Sequence, residues 1–424
     1  MTVTCDAGSG RQRFFNGIVA EVAEMEPARD MCWYELVLRP NLWLLSLNRR
    51  SRIFQSKSAT QILAEVASGV GGAMIEVGRT PPMRNYCVQY RETDLEFFLR
   101  ICSEEGFAHF WIHSREGHQL VVTDNTKASP NAGAMQYNQL AGDAISIDTI
   151  GEWTTRRSIR TGAIAVSDTH FQLFNTRLSG QAGVQPAAGT TGPMVNGSAC
   201  ATNWEVPELG TARYFDQVGA SGGENPEAVP EFHEWVARRA ESQALAAGAD
   251  ALVASGGARN PIFAPGMIFE LIDHPSSSGL WMVLEAEHEV AQRGVGFTAE
   301  TPEIRCVTRF RAAPASVPQK PWPPLPRPVA AGVETAIVTG PEGTETQIDR
   351  HGRVKVRFWW DPSDSAGSNT SCWVRVAQTW AGKGYGAFFW PRVGNEVVVA
   401  FEHGDPDRPI IVGSVYNSAN ITPY

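Results

Sequence analysis

The sequence predicts a mainly β chain with α insertions, ending in a small barrel, and three observations carry that reading. Apolar and polar side chains alternate near the carboxyl end: Val354, Val356 and Phe358 share one strand face, and Lys355, Arg357 and Trp359 the other. Gly, Pro and Asp punctuate these runs, as at Pro391-Arg392-Val393-Gly394 and Gly404-Asp405-Pro406-Asp407. Upstream, the capping-box patterns Ser58-Ala59-Thr60-Gln61 and Thr93-Asp94-Leu95-Glu96 mark two helix starts.

Residues 11–55 read as strands, with Phe15, Ile18, Val19 and Val22 followed by the run Trp33 to Pro40. Leu42 to Leu47 is apolar but only strand-sized. A helix from Ser58 carries Ile62, Leu63 and Val66 and stops at Gly69. The next places Leu95, Phe98, Leu99 and Cys102 on one stripe and ends at Gly106. Phe107 to Ile112 and Leu120 to Thr123 form a hairpin around Arg115-Glu116-Gly117-His118. Residues 179–226, rich in Gly, Ser, Ala and Asn, are expected to be long surface loops. Pro230 opens a helix to about Ala247, with Phe232, Trp235, Val236 and Ala240 on one side. Met267 to Ile272 and Leu280 to Val290 pair across a turn at Asp273–Gly279. Seven prolines between 314 and 328 predict a stiff, extended spacer. The expected division is therefore 1–313, a linker at 314–332, and a β domain at 333–424. About five short strands in that last domain fit a closed barrel of the OB type, with Val354–Trp360 and Val374–Ala377 as core strands.

The bulk numbers set bounds. A chain of 424 residues makes two to four domains. Thirteen Trp can fill several β cores or an extensive subunit interface. A net charge of −9 argues against a nucleic-acid partner. The seven Cys are scattered singly, without CxxC pairs, and are expected to be reduced thiols of a protein folded in the cytoplasm. No apolar run approaches the roughly 20 residues that span a bilayer, and the amino terminus shows no signal-peptide pattern.

The carboxyl blocks closely resemble the VgrG family, the spike proteins of type VI secretion systems, which are related to contractile-phage baseplate hub and central spike proteins. Asp349 to Asp361 carries Gly352, Arg353, Val354, Val356 and Phe358 of that pattern. Ser371-Cys372-Trp373-Val374-Arg375-Val376, Trp380-Ala381-Gly382, Pro391-Arg392-Val393-Gly394 and Glu396-Val397-Val398-Val399 continue it, and Gly404-Asp405-Pro406-Asp407-Arg408-Pro409 closes it. Phe15 to Val19, Arg52 to Gln55, Tyr86 to Asp94 and, more weakly, Arg213 to Asp216 also match. The resemblance implies a hub region of two similar β-barrels with helical insertions, then an OB-fold barrel. It implies a homotrimer facing a hexameric ring of Hcp-like tube protein, a PAAR-like tip protein with effectors where a needle is supplied, and indirect contact with a target-cell membrane. It also implies export by injection after folding in the cytoplasm. Relative to the family, the chain is expected to start inside the first hub barrel, leaving it incomplete, and to end at Tyr424 where a β-helix needle would begin.

Catalytic patterns do not accompany these blocks, and the chain is expected to be neither an enzyme nor a holder of a cofactor or metal. Gly219-Ala220-Ser221-Gly222-Gly223 spells a hydrolase elbow but lacks the preceding hydrophobic strand. Gly382-Lys383-Gly384-Tyr385-Gly386 lacks the order and the following helix of a phosphate loop. His109, His113 and His118 share a hairpin without a completing ligand pattern and are expected to face solvent. Glu104 and Glu105, adjacent on a helix, diverge by about 100° and cannot flank one sugar bond. Trp359, Trp360, Trp373 and Trp380 could stack bases, but residues 333–424 hold ten acidic against eight basic side chains. Asp405-Pro406-Asp407 reads as a tight turn rather than an ion site. The competing functions are a spike-associated hydrolase and a stand-alone OB-type binding module.

Overall fold

The computed structural model describes residues 1–7, 11–25, 34–125, 129–139, 148–173, 175–184, 200–209, 228–293, 303–318, 320, 325–362 and 370–424. The motif at 219–223 lies outside them. β1 (Thr2–Asp6) pairs antiparallel with β2 (Gln12–Asn16), and β3 (Ile18–Glu24) with β4 (Tyr34–Arg39). Asn41–Leu47 is a 3-10 helix rather than the strand-like run its composition predicts. A three-residue turn brings Leu42 and Leu45 to the same side, and both bury in one core.

β5 (Arg49–Ser58) leads directly into α1 (Ala59–Ala67), and β6 (Met74–Glu76) and β7 (Met83–Thr93) precede α2 (Asp94–Glu105). β5 pairs with β7. Both capping boxes form as their sequences predict, and α2 ends at Gly106 with φ 70°. The apolar stripe of α2 differs from expectation. Phe97, Phe98, Ile101 and Cys102 are buried, while Leu95 and Leu99 are only half-covered. The shift follows from the burial of Arg100, which covers a face that spacing alone assigns to solvent. β8 (Ala108–His113) and β9 (His118–Thr123) form the expected hairpin, extended by β6.

The middle of the chain holds the closed barrel. β10 (Asn131–Tyr137) and β11 (Thr149–Arg157) enter it first. A side sheet follows, made of β12 (Arg160–Thr169), β13 (Arg177–Gly183) and β14 (Cys200–Leu209), and α3 (Ala228–Ala249) packs on it. Residues 179–183 and 200–209 are thus strand where loops are expected. Gly180 serves close packing: a Cβ on it would lie 2.7 Å from the Val236 carbonyl oxygen of α3. Trp235, Val236 and Ala240 of α3 bury as expected, against Ile164, Val166 and Leu178. β15 (Leu252–Ala258), β16 (Ile268–Ile272), β17 (Gly279–Arg293) and β18 (Glu303–Pro314) complete the barrel in the order β10-β11-β15-β18-β17-β16. Aromatic rings fill it. Phe263 stacks on Phe310 at 4.3 Å, and Trp153 meets Trp281 edge-on at 4.9 Å. Gly256 makes room, since a Cβ there would sit 2.3 Å from the Phe310 ring.

The last part is the small barrel. It is built from β19 (Glu334–Thr339), β20 (Lys355–Phe358), β21 (Arg375–Val376), a short hairpin of β22 (Ala381–Gly382) and β23 (Tyr385–Gly386), β24 (Glu396–Phe401) and β25 (Pro409–Val415). The five-stranded sheet runs β20-β19-β24-β25-β21. Two backbone hydrogen bonds between Val354 and Val374, 3.0 and 2.7 Å, join its two ends. Val338, Val354, Val356, Phe358, Val397, Val399 and Ile411 form its core. Lys355, expected outside, is buried with its ammonium 5.3 Å from the Trp373 ring centroid. Trp359 is exposed. The fold class is mainly β with few helices, a closed six-stranded barrel and an OB-type barrel.

Candidate functional site: a charged junction and an aromatic rim

The small barrel is keyed into the rest of the chain by its own turn sequence. At Gly404-Asp405-Pro406-Asp407-Arg408-Pro409, the Arg408 N–H donates to the Asp405 carbonyl at 2.9 Å, and the Asp407 N–H to Asp405 Oδ1 at 3.0 Å. This is the expected tight turn. Gly404 has φ 72°, which favours glycine. What spacing did not reveal is where the side chains go. Asp407 Oδ1 accepts from the Val88 N–H of β7 at 2.6 Å, 319 residues away in sequence. Arg408 forms a two-pronged pair with Asp168 at the end of β12, with one prong at 2.9 Å. Asp405 Oδ2 accepts from Arg327 at 2.7 Å. Pro406 is buried between them. Burial works against the Arg408 charge, yet the Asp168 hydrogen bonds and the charges of Asp168 and Asp405 hold its pKa above the usual value.

Arg327 also reaches Glu104 Oε1 of α2 at 3.3 Å. Glu104 sits in a network whose members are almost wholly buried. Arg100 donates to both Glu92 oxygens at 2.8 and 2.9 Å, to Glu104 at 2.9 Å and to the Val88 carbonyl at 2.9 Å. Arg84 donates to Glu104 at 3.1 Å and pairs with Glu105. Carboxylates neutralised by arginines in this way have no free geometry for acid catalysis. The described residues of the Pro-rich stretch contact the same junction. Lys320 Nζ donates to the Gly106 carbonyl at 3.1 Å, the Leu325 N–H to Ser103 Oγ at 3.0 Å, and the Ala330 N–H to the Gly404 carbonyl at 2.8 Å.

Apolar contact reinforces the charges. Tyr86, Val88 and Tyr90 of β7 belong to the same buried cluster as the small barrel's own core. Tyr90 Oη donates to Glu334 at 2.5 Å. Burial, then that hydrogen bond and charge, push the phenol up to about 12. On the other side, Phe171 lies between the guanidinium groups of Arg353 and Arg375, each 5.1 Å from its centroid. Arg353 is held by Asp349 at 2.6 Å, whose other oxygen accepts the Arg353 and His351 N–H groups at 2.8 and 2.9 Å. Gly352, φ 70°, lets that loop turn.

The remaining motif residues divide by depth. Trp373, Val374, Val397 and Pro391 are buried; Val376, Pro409 and Glu396 are half-buried, and Glu396 accepts from Asn417 at 2.9 Å. Arg392 is exposed, 3.3 Å from Glu345, and Gly394 turns with φ 88°. Trp380 is exposed and opens a rim of large apolar groups: Trp380 62%, Tyr385 63%, Phe388 52%, Phe389 71% and Trp390 40% exposed. Trp380 and Tyr385 pair at 5.6 Å, and Phe388 and Trp390 at 5.0 Å, around the β22–β23 hairpin that occupies Gly382–Gly386.

The histidines fall elsewhere. His109 packs edge-on against Trp111 at 5.6 Å. His113 and His118 are half-buried rather than solvent-facing, because the amino-terminal hairpin and the Asn41 turn cover them. Among the described residues, no three His, Cys, Asp or Glu side chains group as a metal site. Cys5, Cys87, Cys102, Cys306 and Cys372 are reduced thiols. No helix of the described residues is long and apolar enough to cross a membrane.

Comparison with known proteins agrees with this architecture over its whole length. Residues 1–294 match the family described as phage tail baseplate hub (GPD), and residues 342–416 match the type VI secretion system/phage-baseplate injector OB domain. The chain belongs to the phage tail baseplate hub (GPD) family, and its curated relatives are VgrG spike proteins. It is 32% identical over its full length to type VI secretion system spike protein VgrG1a of Pseudomonas aeruginosa, covering 63% of that protein. It is 33% identical over 96% of its length to VgrG3 of Vibrio cholerae, covering 38% of it. A V. cholerae relative named actin cross-linking toxin VgrG1 is 30% identical, and the chain covers 35% of it. The chain thus spans about half the length of the curated relatives it matches. By structure, it superposes on an E. coli type VI secretion component described as similar to T4 tail proteins gp27 and gp5, with TM-score 0.59 and 18% identity over 95% of this chain and 84% of that one. It superposes on a chain of the Francisella PdpA-VgrG complex with TM-score 0.53 and 8% identity over 98% of this chain and 67% of that one. These two likenesses show a shared fold.

Proposed function

We propose that this chain works as a non-enzymatic adaptor in a contractile injection machine, with three copies joining a hexameric Hcp-like tube ring to a puncturing tip. In this reading residues 1–313 are the hub, 314–332 a linker and 333–424 the OB domain. A PAAR-like tip protein and effectors are partners of the assembled spike. The protein folds in the cytoplasm and leaves by injection. The motif residues from Asp349 to Pro409 act structurally: Asp405 and Arg408 lock the OB barrel to the hub, Asp349 and Arg353 clamp Phe171, and Trp380 belongs to the subunit interface.

One observation carries the reading: a rim of five large aromatic residues, 40–71% exposed, on a domain that is rigidly keyed to the hub on another side. Exposed apolar surface of this size marks an interface, and each large aromatic can bury roughly 150–250 Å². A closed ring of three subunits needs well over about 2,000 Å² in all for an obligate contact. Light scattering of the purified chain at micromolar concentration is the test. The expected mass is three times 46.2 kDa. Changing Trp380 and Phe389 to Asp should shift it to one chain with the fold intact by circular dichroism. A monomer at every concentration, unaffected by those changes, contradicts the reading.

A further inference from the structure

Four side chains able to carry positive charge converge where the β1–β2 hairpin meets the rest of the hub. Phe15 of β2 is at the centre. The Arg13 guanidinium lies 4.7 Å from its ring centroid, His288 of β17 meets it edge-on at 5.2 Å, and His113 of β8 is 6.5 Å away. His118 of β9 is 5.6 Å from His113. All four are half-buried. The imidazoles of His113 and His118 act as acceptors for backbone. The Asn16 N–H donates to His113 Nδ1 at 3.1 Å, and the Asn41 N–H donates to His118 Nε2 at 3.0 Å. Neither nitrogen can hold a proton while it accepts. Asn16 Oδ1 also lies 3.0 Å from His113 Nδ1. Protonation there would turn the bond toward that oxygen and strand the Asn16 N–H, which belongs to a buried residue. His288 Nε2 donates to the Phe263 carbonyl at 2.8 Å, and its Nδ1 meets Thr308 Oγ1 at 2.9 Å, whose hydroxyl donates to the Asn260 carbonyl at 2.9 Å. At this imidazole burial and Arg13, not a lost hydrogen bond, oppose protonation.

We infer that the docking of the β1–β2 hairpin on the hub is an acid-sensitive latch, held while these imidazoles are neutral and released when they are protonated. The charges facing the cluster favour release. On β2, Arg13 faces both His113 and His288; on β9, His118 faces His113; the α-amino group of Met1 faces His118. All are cationic. The thiols of Cys5 on β1 and Cys306 on β18 are pushed up by burial, so they bring no compensating negative charge near neutral pH. The Nε of Arg13 is itself buried without a hydrogen-bond partner. The Arg11–Asp148 ion pair ties the same hairpin to the segment before β11 and opposes release.

The direction with pH follows. Burial, then Arg13 and His118, lower His113 to about 4; burial, then Arg13 acting against the Phe263 hydrogen bond, lowers His288 to about 4. A free imidazole titrates near 6.5. Docking is therefore at full strength above about 6.5 and weakens as pH falls toward 4. One such imidazole shifts the docking equilibrium about thirtyfold at pH 5, and partial exposure brings that nearer tenfold.

Hydrogen exchange measured by mass spectrometry on the whole chain, corrected for intrinsic rates, tests the latch. Between pH 7.5 and 5.0, protection of residues 1–16 should fall about tenfold or more while residues 94–105 keep theirs. H113N and H288N, each compared with the parent chain at pH 7.5 for retained protection at 94–105, should flatten that response. Unchanged protection of the hairpin, loss of protection throughout the chain together, or an undiminished response in both variants would overturn the inference.

Discussion

Arg408 shows how much one side chain can hold. It and Asp168 are almost fully buried and come from opposite halves of the molecule. Arg408→Ala leaves the Asp168 carboxylate buried and unpaired, and should cost about 3–5 kcal/mol in urea unfolding. Changing both, as in R408M with D168L, should cost clearly less, because no uncompensated charge remains. Gly256→Ala should cost about 1–3 kcal/mol, since its Cβ would meet the Phe310 ring at 2.3 Å; adding Phe310→Leu should recover part of that. At this scale the sequence was only partly legible. The turn at Asp405 and the glycine at Gly404 could be read from residue type. That Asp407 reaches Val88 could not, because a contact 319 residues apart leaves no local periodicity. Asp168 and Phe171 carried no signal at all: one ends an unremarkable strand and the other follows it.

Elements follow their local signals where those signals are backbone chemistry. Ser58-Gln61 and Thr93-Glu96 both close reciprocal caps. Thr93→Ala should therefore destabilise by about 1 kcal/mol, seen as a lower urea midpoint with unchanged slope. Strand alternation located the apolar OB core because Val354, Val356 and Phe358 share one buried face, and it missed Lys355 and Trp373, which bury on the other. The same logic failed in two places for physical reasons. Leu42 and Leu45 would point to opposite faces of a strand, and the neighbouring core that takes both selects the three-residue turn. In the side sheet, Gly180, which reads as loop punctuation, makes room for the α3 backbone. The stripe on α2 was displaced by a buried arginine, a choice made by its carboxylate partners rather than by helix spacing.

Across the whole molecule, the turn at Asp405–Arg408, the Arg327 bridge and the cluster around Tyr86, Val88 and Tyr90 make hub and OB barrel one mechanical body. In the adaptor role proposed above, the chain needs that union more than it needs a cleft. Charge pairs suit the role, because removing either partner exposes the cost of burying the other. Native-state hydrogen exchange in rising urea tests the union directly, by comparing amides of Lys355–Phe358 in the OB core with amides of Asp94–Glu105 in the hub. In the parent chain both sets should open together, with the same free energy and urea dependence, and in R327M/R408M the OB set should open first. An OB barrel that already opens alone in the parent chain would contradict it.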